Sequence, residues 1–214
     1  MFRILRCLLI CSIAVSMVNI KVFTRAMSTV ATSFSAYGIV PDVIPVAPEA
    51  LATVKYPSLA VVSEGNVLSP SQVQDVPQIS WNASADKYYT VAMTDPDVLS
   101  RKVPTLGEFR HWLVGNVPGD NVTTGQTLAA YIGAKPLPGT GLHRYVFLVY
   151  QQPGKLNFYE PRLRITSAIN RVTFSIHKFA VKYGLGTPIA GNFFQAEFSL
   201  GLGKTPLLFK WFGR

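Results

Sequence analysis

The run Tyr145-Val146-Phe147-Leu148-Val149-Tyr150 constrains the fold more than any other stretch of this chain. Six consecutive apolar or aromatic residues offer no polar face, so a strand built from them must be covered on both sides, near the centre of a sheet. Further β-rich runs lie at 54–62, 88–93, 112–117 and 193–198, each bounded by Pro, Gly, Asn or Asp. Short strands between such turn signals predict an all-β architecture, an antiparallel sandwich, rather than alternating βαβ units. One helix interrupts the pattern. Ile176, Phe179, Ala180 and Tyr183 fall at i, i+3, i+4 and i+7 on one face, Lys178 and Lys182 point elsewhere, and Gly184 supplies a stop. A shorter helical turn is expected at 127–131, and the Ser/Thr/Ala/Pro-rich stretch 27–50 reads as an extended lead-in outside the core.

A chain of 214 residues with 49% hydrophobic residues suits one domain with an appendage. No internal period is visible, which excludes a repeat array. The only two cysteines, Cys7 and Cys11, lie close to the N-terminus, so neither a disulfide framework nor a cysteine nucleophile is expected in the domain.

The formal net charge of +9 divides unevenly. Residues 1–41 carry +4 with no acid, residues 42–154 carry −2, and residues 155–214 carry +7. A basic end attracts phosphate-bearing partners or an anionic membrane, and it is equally a solvated face. No basic helix, zinc knuckle or paired aromatic RNA motif accompanies the charge, so no nucleic-acid partner is expected.

Residues 1–26 read as a signal or targeting segment. Arg3 and Arg6 flank an apolar run, and Ala14-Val15-Ser16 places small residues where a signal peptidase cuts, which predicts secretion. Two alternatives stay open: a mitochondrial transit peptide, given the scattered Ser and Arg without acids, or a cytoplasmic protein started at Met27. Two glycosylation sequons occur, Asn82-Ala83-Ser84 and Asn121-Val122-Thr123.

The polar residues that carry chemistry cluster near turns. Thr94-Asp95-Pro96-Asp97 follows the run 88–93, where Pro96 cannot continue a central ladder, so both carboxylates are expected in a loop. His111 precedes an apolar strand, and Gly139-Thr140-Gly141-Leu142-His143-Arg144 is a flexible turn leading into the strongest one. Two imidazoles with backbone N–H groups can bind a phosphate or carboxylate oxygen, and a carboxylate nearby fixes an imidazole tautomer. Each piece also has a plain reading as a turn or core residue. His177, without polar company on its helix, reads as structural.

At these residues the sequence resembles the phosphatidylethanolamine-binding protein family. Thr94-Asp95-Pro96-Asp97 with Ser100-Arg101 is similar to its first motif, residues 107–116 containing His111 to the extension of that motif, and Gly139-Thr140-Gly141-Leu142-His143-Arg144-Tyr145 to its second. Residues 189–197 resemble the C-terminal family segment. The resemblance implies a Greek-key β-sandwich over residues 39–200, with an end cavity accepting an anionic group such as a phospholipid headgroup. Asp95, His111, His143, Tyr145 and Phe194 would line it, with Pro136 on the rim. Family members also inhibit serine proteases or protein kinases through their surface. No enzymatic activity is implied, neither cofactor nor metal is expected, and the expected state is a monomer.

Three departures bear on that transfer. Leu99 stands where the family commonly has a second proline, Phe194 replaces a tyrosine that can donate to the bound anion, and no acidic tail helix follows Phe198. A phenyl ring cannot donate a hydrogen bond, so weaker anion binding is expected. Residues 201–214 form instead a divergent basic and apolar tail, readable as a peripheral membrane or partner contact or as a loose end. A hydrolase reading finds no Gly-x-Ser-x-Gly elbow, His-Glu-x-x-His pair or phosphate-binding Gly loop.

Overall fold

The structure, a computed structural model, describes residues 30–102, 106–167 and 169–199. Residues 1–26, read above as a targeting segment, both cysteines and residues 201–214 lie outside the described residues. Nine strands are present among the described residues: β1 (Ala50–Leu51), β2 (Thr53–Lys55), β3 (Asn66–Val67), β4 (Gln78–Ser80), β5 (Tyr88–Asp95), β6 (Phe109–Pro118), β7 (Gln126–Ala129), β8 (His143–Gln151) and β9 (Ala190–Ala196). Seven form one sheet in the order β1-β9-β8-β5-β6-β7 with β3 also on β9, while β2 and β4 make a separate two-stranded sheet.

The both-faces-apolar run takes the place its composition demands: β8 lies between β5 and β9, and its first eight residues are buried. Alternation along the strands then divides the interior. One face carries Tyr89, Val91, Met93, Trp112, Tyr145, Phe147 and Phe194 against Val54, Tyr56 and Ile79 of the small sheet and its flank. The opposite face carries Ala92, Leu113, Val146, Leu148 and Phe193 against the helices and the 156–163 segment. Each such large side chain removed from water contributes about 1.5–3 kcal/mol, so the central strands anchor both layers.

Among the described residues three α-helices accompany the sheets: α1, covering 30–36, α2 at Ile39–Asp42 and α3 at Ile176–Lys182. The last follows the predicted spacing, with Ile176, Phe179 and Ala180 buried. Ser175 caps its start by accepting from the Lys178 N–H, and Gly184 follows at φ 62°.

Several expectations are corrected. The sheet is mixed rather than antiparallel, because β1 and β3 both pair parallel with β9. The run 54–62 is not one strand: after Lys55 the chain turns at Pro57 and returns so that Lys55 bridges Val61. The expected helical turn at 127–131 is β7, held by its pairing with β6, and the helical turn falls earlier, at Val122–Thr124. Of the expected lead-in 27–50, the described part, 30–50, is not outside the core. Val30, Phe34, Ile39, Val43 and Ile44 are buried, and the Phe34 ring meets Phe193 edge-on at 5.1 Å.

Candidate functional site

Three strand ends converge at one end of the sheet. Asp95 closes β5, His111 lies near the start of β6, and His143 opens β8, so the antiparallel pairing of β5 with both neighbours brings the three side chains together. Asp95 and both histidines therefore belong to strands, not to the loops in which they were expected; Asp97 alone lies in the loop. All three are buried.

The central contact joins His143 Nδ1 to Asp95 Oδ2 at 2.8 Å. A carboxylate accepts, so Nδ1 carries the proton and Nε2 points the other way, to the Thr140 hydroxyl at 2.8 Å. That hydroxyl also reaches Leu137 O at 2.7 Å, so its single proton faces two acceptors, Leu137 O and Nε2. Thr140 reaches back because Gly139 and Gly141 hold φ 78° and 80° on either side of it, a conformation glycine adopts without a Cβ penalty. The other Asp95 oxygen accepts the Asp97 N–H at 2.7 Å, which fixes the carboxylate plane.

His111 is oriented differently. Its Nδ1 donates to Ile132 O at 2.7 Å, leaving Nε2 as the nitrogen available to a ligand. Burial pushes its pKa below the ordinary imidazole value, with Asp95 and the Ile132 bond opposing that and Arg171 reinforcing it. Tyr145 stands between the two histidines, 5.2 Å from the His111 ring and stacked 6.4 Å from His143. Its hydroxyl is met by the Lys135 backbone, and burial raises its pKa far above the ordinary phenol value. Phe194 stacks on the far side of Tyr145 at 4.9 Å. Five of the six expected residues thus form one contiguous cluster. Pro136, expected on the rim, is buried directly after Lys135.

Next to this cluster lies a second acid–base pair of another character. Asp97 accepts from Arg144 three times, from Nε and the backbone N–H at 2.9 Å and from Nη2 at 2.7 Å. Arg144 Nη1 donates to Tyr37 O, Gly38 O and Asp42. Burial lowers the guanidinium pKa, but these bonds and the charges of Asp97 and Asp42 outweigh it and hold it above its ordinary value. A cleft of about 710 Å³ opens beside this pair, with Arg101, Glu108, Phe174 and Lys178 among its walls. Glu108 accepts from the Thr94 hydroxyl at 2.7 Å and the Ile176 N–H at 3.1 Å. Burial without a cation pushes its pKa up to about 7.

Sequence reasoning had not assigned Thr140, Lys135 and Glu108 to this end of the sheet. Thr140 carried the one local signal, since it stands three residues before His143 in a Gly-flanked turn. No group of three or more potential metal ligands occurs among the described residues, and no described helix is long and apolar enough to cross a membrane.

These motifs, in this order on this sheet, define the class. The family model of the phosphatidylethanolamine-binding proteins matches residues 58–194, and the chain belongs to that family. It is 39% identical over 166 residues to a 26 kDa secreted antigen of Toxocara canis, a match spanning 77% of this chain and 63% of the antigen. Among solved structures, a carboxypeptidase Y inhibitor complexed with its cognate proteinase superposes with TM-score 0.70 at 28% identity, covering 81% of this chain and 97% of the inhibitor. A phosphatidylethanolamine-binding protein from Plasmodium vivax superposes with TM-score 0.67 at 25% identity, covering 79% and 97%.

Proposed function

We propose that the protein is a non-enzymatic binding protein whose cluster around Tyr145 accepts the anionic, phosphate-bearing headgroup of a small ligand such as a phospholipid, and that it acts outside the cell. The carrying observation is the buried His143–Asp95 contact at 2.8 Å, with the second ring nitrogen of His143 facing only a hydroxyl on a Gly-flanked turn. A ligand oxygen takes the place of that hydroxyl, with one proton between it and Nε2, brought in on the ligand's P–OH or taken up on binding. His111 Nε2 and the Tyr145 hydroxyl supply the remaining polar contacts. A secreted relative supports the extracellular setting.

Calorimetric titration with O-phosphorylethanolamine tests the pocket. Saturable binding is expected, weakened at least tenfold by His143→Ala or His111→Ala, since a hydrogen bond to a charged group contributes about 1.5–3 kcal/mol. Because burial depresses the His111 pKa and a bound anion favours its charged form, binding takes up a proton, and affinity rises as pH falls. A wild-type protein that binds neither this headgroup nor inorganic phosphate at any pH from 5 to 8 would end the reading.

A second reading, inhibition of a serine protease or protein kinase through the surface, is favoured by the likeness to a protease inhibitor. It requires inhibition that survives His143→Ala. Loss of inhibition together with headgroup binding would assign both to the pocket.

A further inference from the structure

The two sequons lie at the end of the molecule opposite the candidate site. Tyr88 pairs with Pro118 at one end of the β5–β6 ladder and Asp95 pairs with Phe109 at the other, a separation of roughly 23 Å over an eight-residue strand. Asn82 stands six residues before Tyr88 and Asn121 three residues after Pro118. Both asparagines are exposed.

Their side chains are used differently from those of other asparagines in the fold. Asn66, Asn116 and Asn192 each spend their Nδ2 group on internal carbonyls: Val61 O, Leu156 O and Gln126 Oε1, and Ala52 O and Val62 O respectively. Substitution of those amides would break internal bonds. Asn121 accepts the Thr123 hydroxyl at 2.7 Å through Oδ1, while its Nδ2 engages no group among the described residues. The Asn82 Nδ2 is likewise unengaged among the described residues. The Asn121–Thr123 contact joins the two side chains an acceptor sequon requires, the amide and the hydroxyl two residues on.

Space is also available. Asn121 opens the single turn Val122–Thr124, whose three residues include no buried side chain. Gly119 ahead of it holds φ 55°, which turns the chain outward after Pro118. A bulky solvated group on Nδ2 therefore projects from a turn without entering the core or reaching the Asp95 end.

From this juxtaposition of an exposed, free Asn121 amide with the Thr123 hydroxyl on its Oδ1, at the end remote from the ligand cluster, we infer that Asn121 is an N-glycosylation site. The inference rests on the extracellular reading above, because the modification happens in the secretory pathway. In the transfer, the anomeric carbon of a lipid-pyrophosphate-linked oligosaccharide leaves its phosphate oxygen and bonds to Nδ2. Nδ2 loses one proton and the lipid pyrophosphate departs. Asn82 offers a second acceptor at the same end, so the glycans mark one end of the sheet and leave the other open.

The test is to express the full chain in insect cells, separate medium from cells, and measure intact mass before and after peptide-N-glycosidase treatment. Secreted protein whose mass drops on treatment, with Asn121 converted to aspartate in the peptide map, is the expected result. Asn121→Gln and Thr123→Ala should each remove that one increment while the headgroup affinity of the purified protein changes less than twofold. Protein in the medium with Asn121 unmodified, including protein glycosylated at Asn82 alone, overturns the inference and leaves secretion standing. Protein retained in the cytosol and unmodified overturns both.

Discussion

Asp95 with His143 and Asp97 with Arg144 are built from the same two segments, two residues apart on one and adjacent on the other, yet they do opposite things. The Arg144 pair is closed: three bonds run between its members, and the remaining guanidinium donors go to the backbone of residues 37–38 and to Asp42. Most of its donors are thus committed inside the protein, and the pair ties the N-terminal segment to the sheet. The His143 pair is open at one nitrogen, where a turn hydroxyl stands in. Glu108 extends the contrast: a third buried carboxylate at this end, bonded to a hydroxyl and an N–H but to no cation, whose pKa rises accordingly. The partner, more than the burial, decides whether an acid at this end is locked in place, orients an imidazole or is sensitive to pH.

Breaking the closed pair has the largest effect. Asp97→Ala strands a buried guanidinium and should cost about 3–5 kcal/mol of stability, read by urea denaturation. Asp95→Ala in the open pair should cost less stability and lose headgroup binding instead. Equal stability losses would remove the distinction.

Glu108 gives the next largest effect, and its sign is set by the direction of its shift. The folded protein holds the Glu108 proton to about pH 7, whereas an unfolded carboxyl releases it near 4.5, so this contribution is present below pH 4.5 and is lost as pH rises toward 7. Glu108→Gln, which keeps an acceptor oxygen, should remove that loss and stabilise the protein above pH 7 by on the order of 3 kcal/mol. A pH–stability curve for the variant parallel to the wild type would show that folding leaves the Glu108 pKa unshifted.

The smallest effect sharpens the open pair. Thr140→Ala removes the hydroxyl facing His143 Nε2, and affinity for O-phosphorylethanolamine should rise roughly two- to tenfold, the equivalent of one neutral hydrogen bond at about 0.5–1.5 kcal/mol. A fall in affinity would make Thr140 a ligand contact rather than a stand-in.

Much of this was legible beforehand where local signals are strong. The 145–150 run has no polar face to turn outward and became the buried heart of β8. The i, i+3, i+4 spacing of Ile176, Phe179 and Ala180 became the buried face of α3. What escaped is what only tertiary contact decides. Residues 30–36 are too polar to read as a core helix, and Phe34 is buried because Phe193, distant in sequence, lies against it. Leu128 and Ala129 suit a helical turn or a strand equally, and pairing with β6 selects the strand. At the site, the residue types of Asp95, His111 and His143 singled them out, and the fold brings them together, whereas the backbone bonds at Ile132 and Lys135 have no sequence signature, since any residue supplies a carbonyl or an N–H.

The parallel pairing of β1 and β3 with β9 has a consequence for biogenesis. As the chain is synthesised, the first strand to appear waits for the last described one, with nearly the whole domain emerging between them. Until β9 arrives, one edge of β8 lacks its partner, and so does the N-terminal helix that packs on Phe193. An unpaired hydrophobic strand edge of that kind invites association with other chains. That edge is open from the synthesis of β8 to that of β9, and the step that closes the sheet on β9 also completes the Tyr145–Phe194 stack and with it the candidate site.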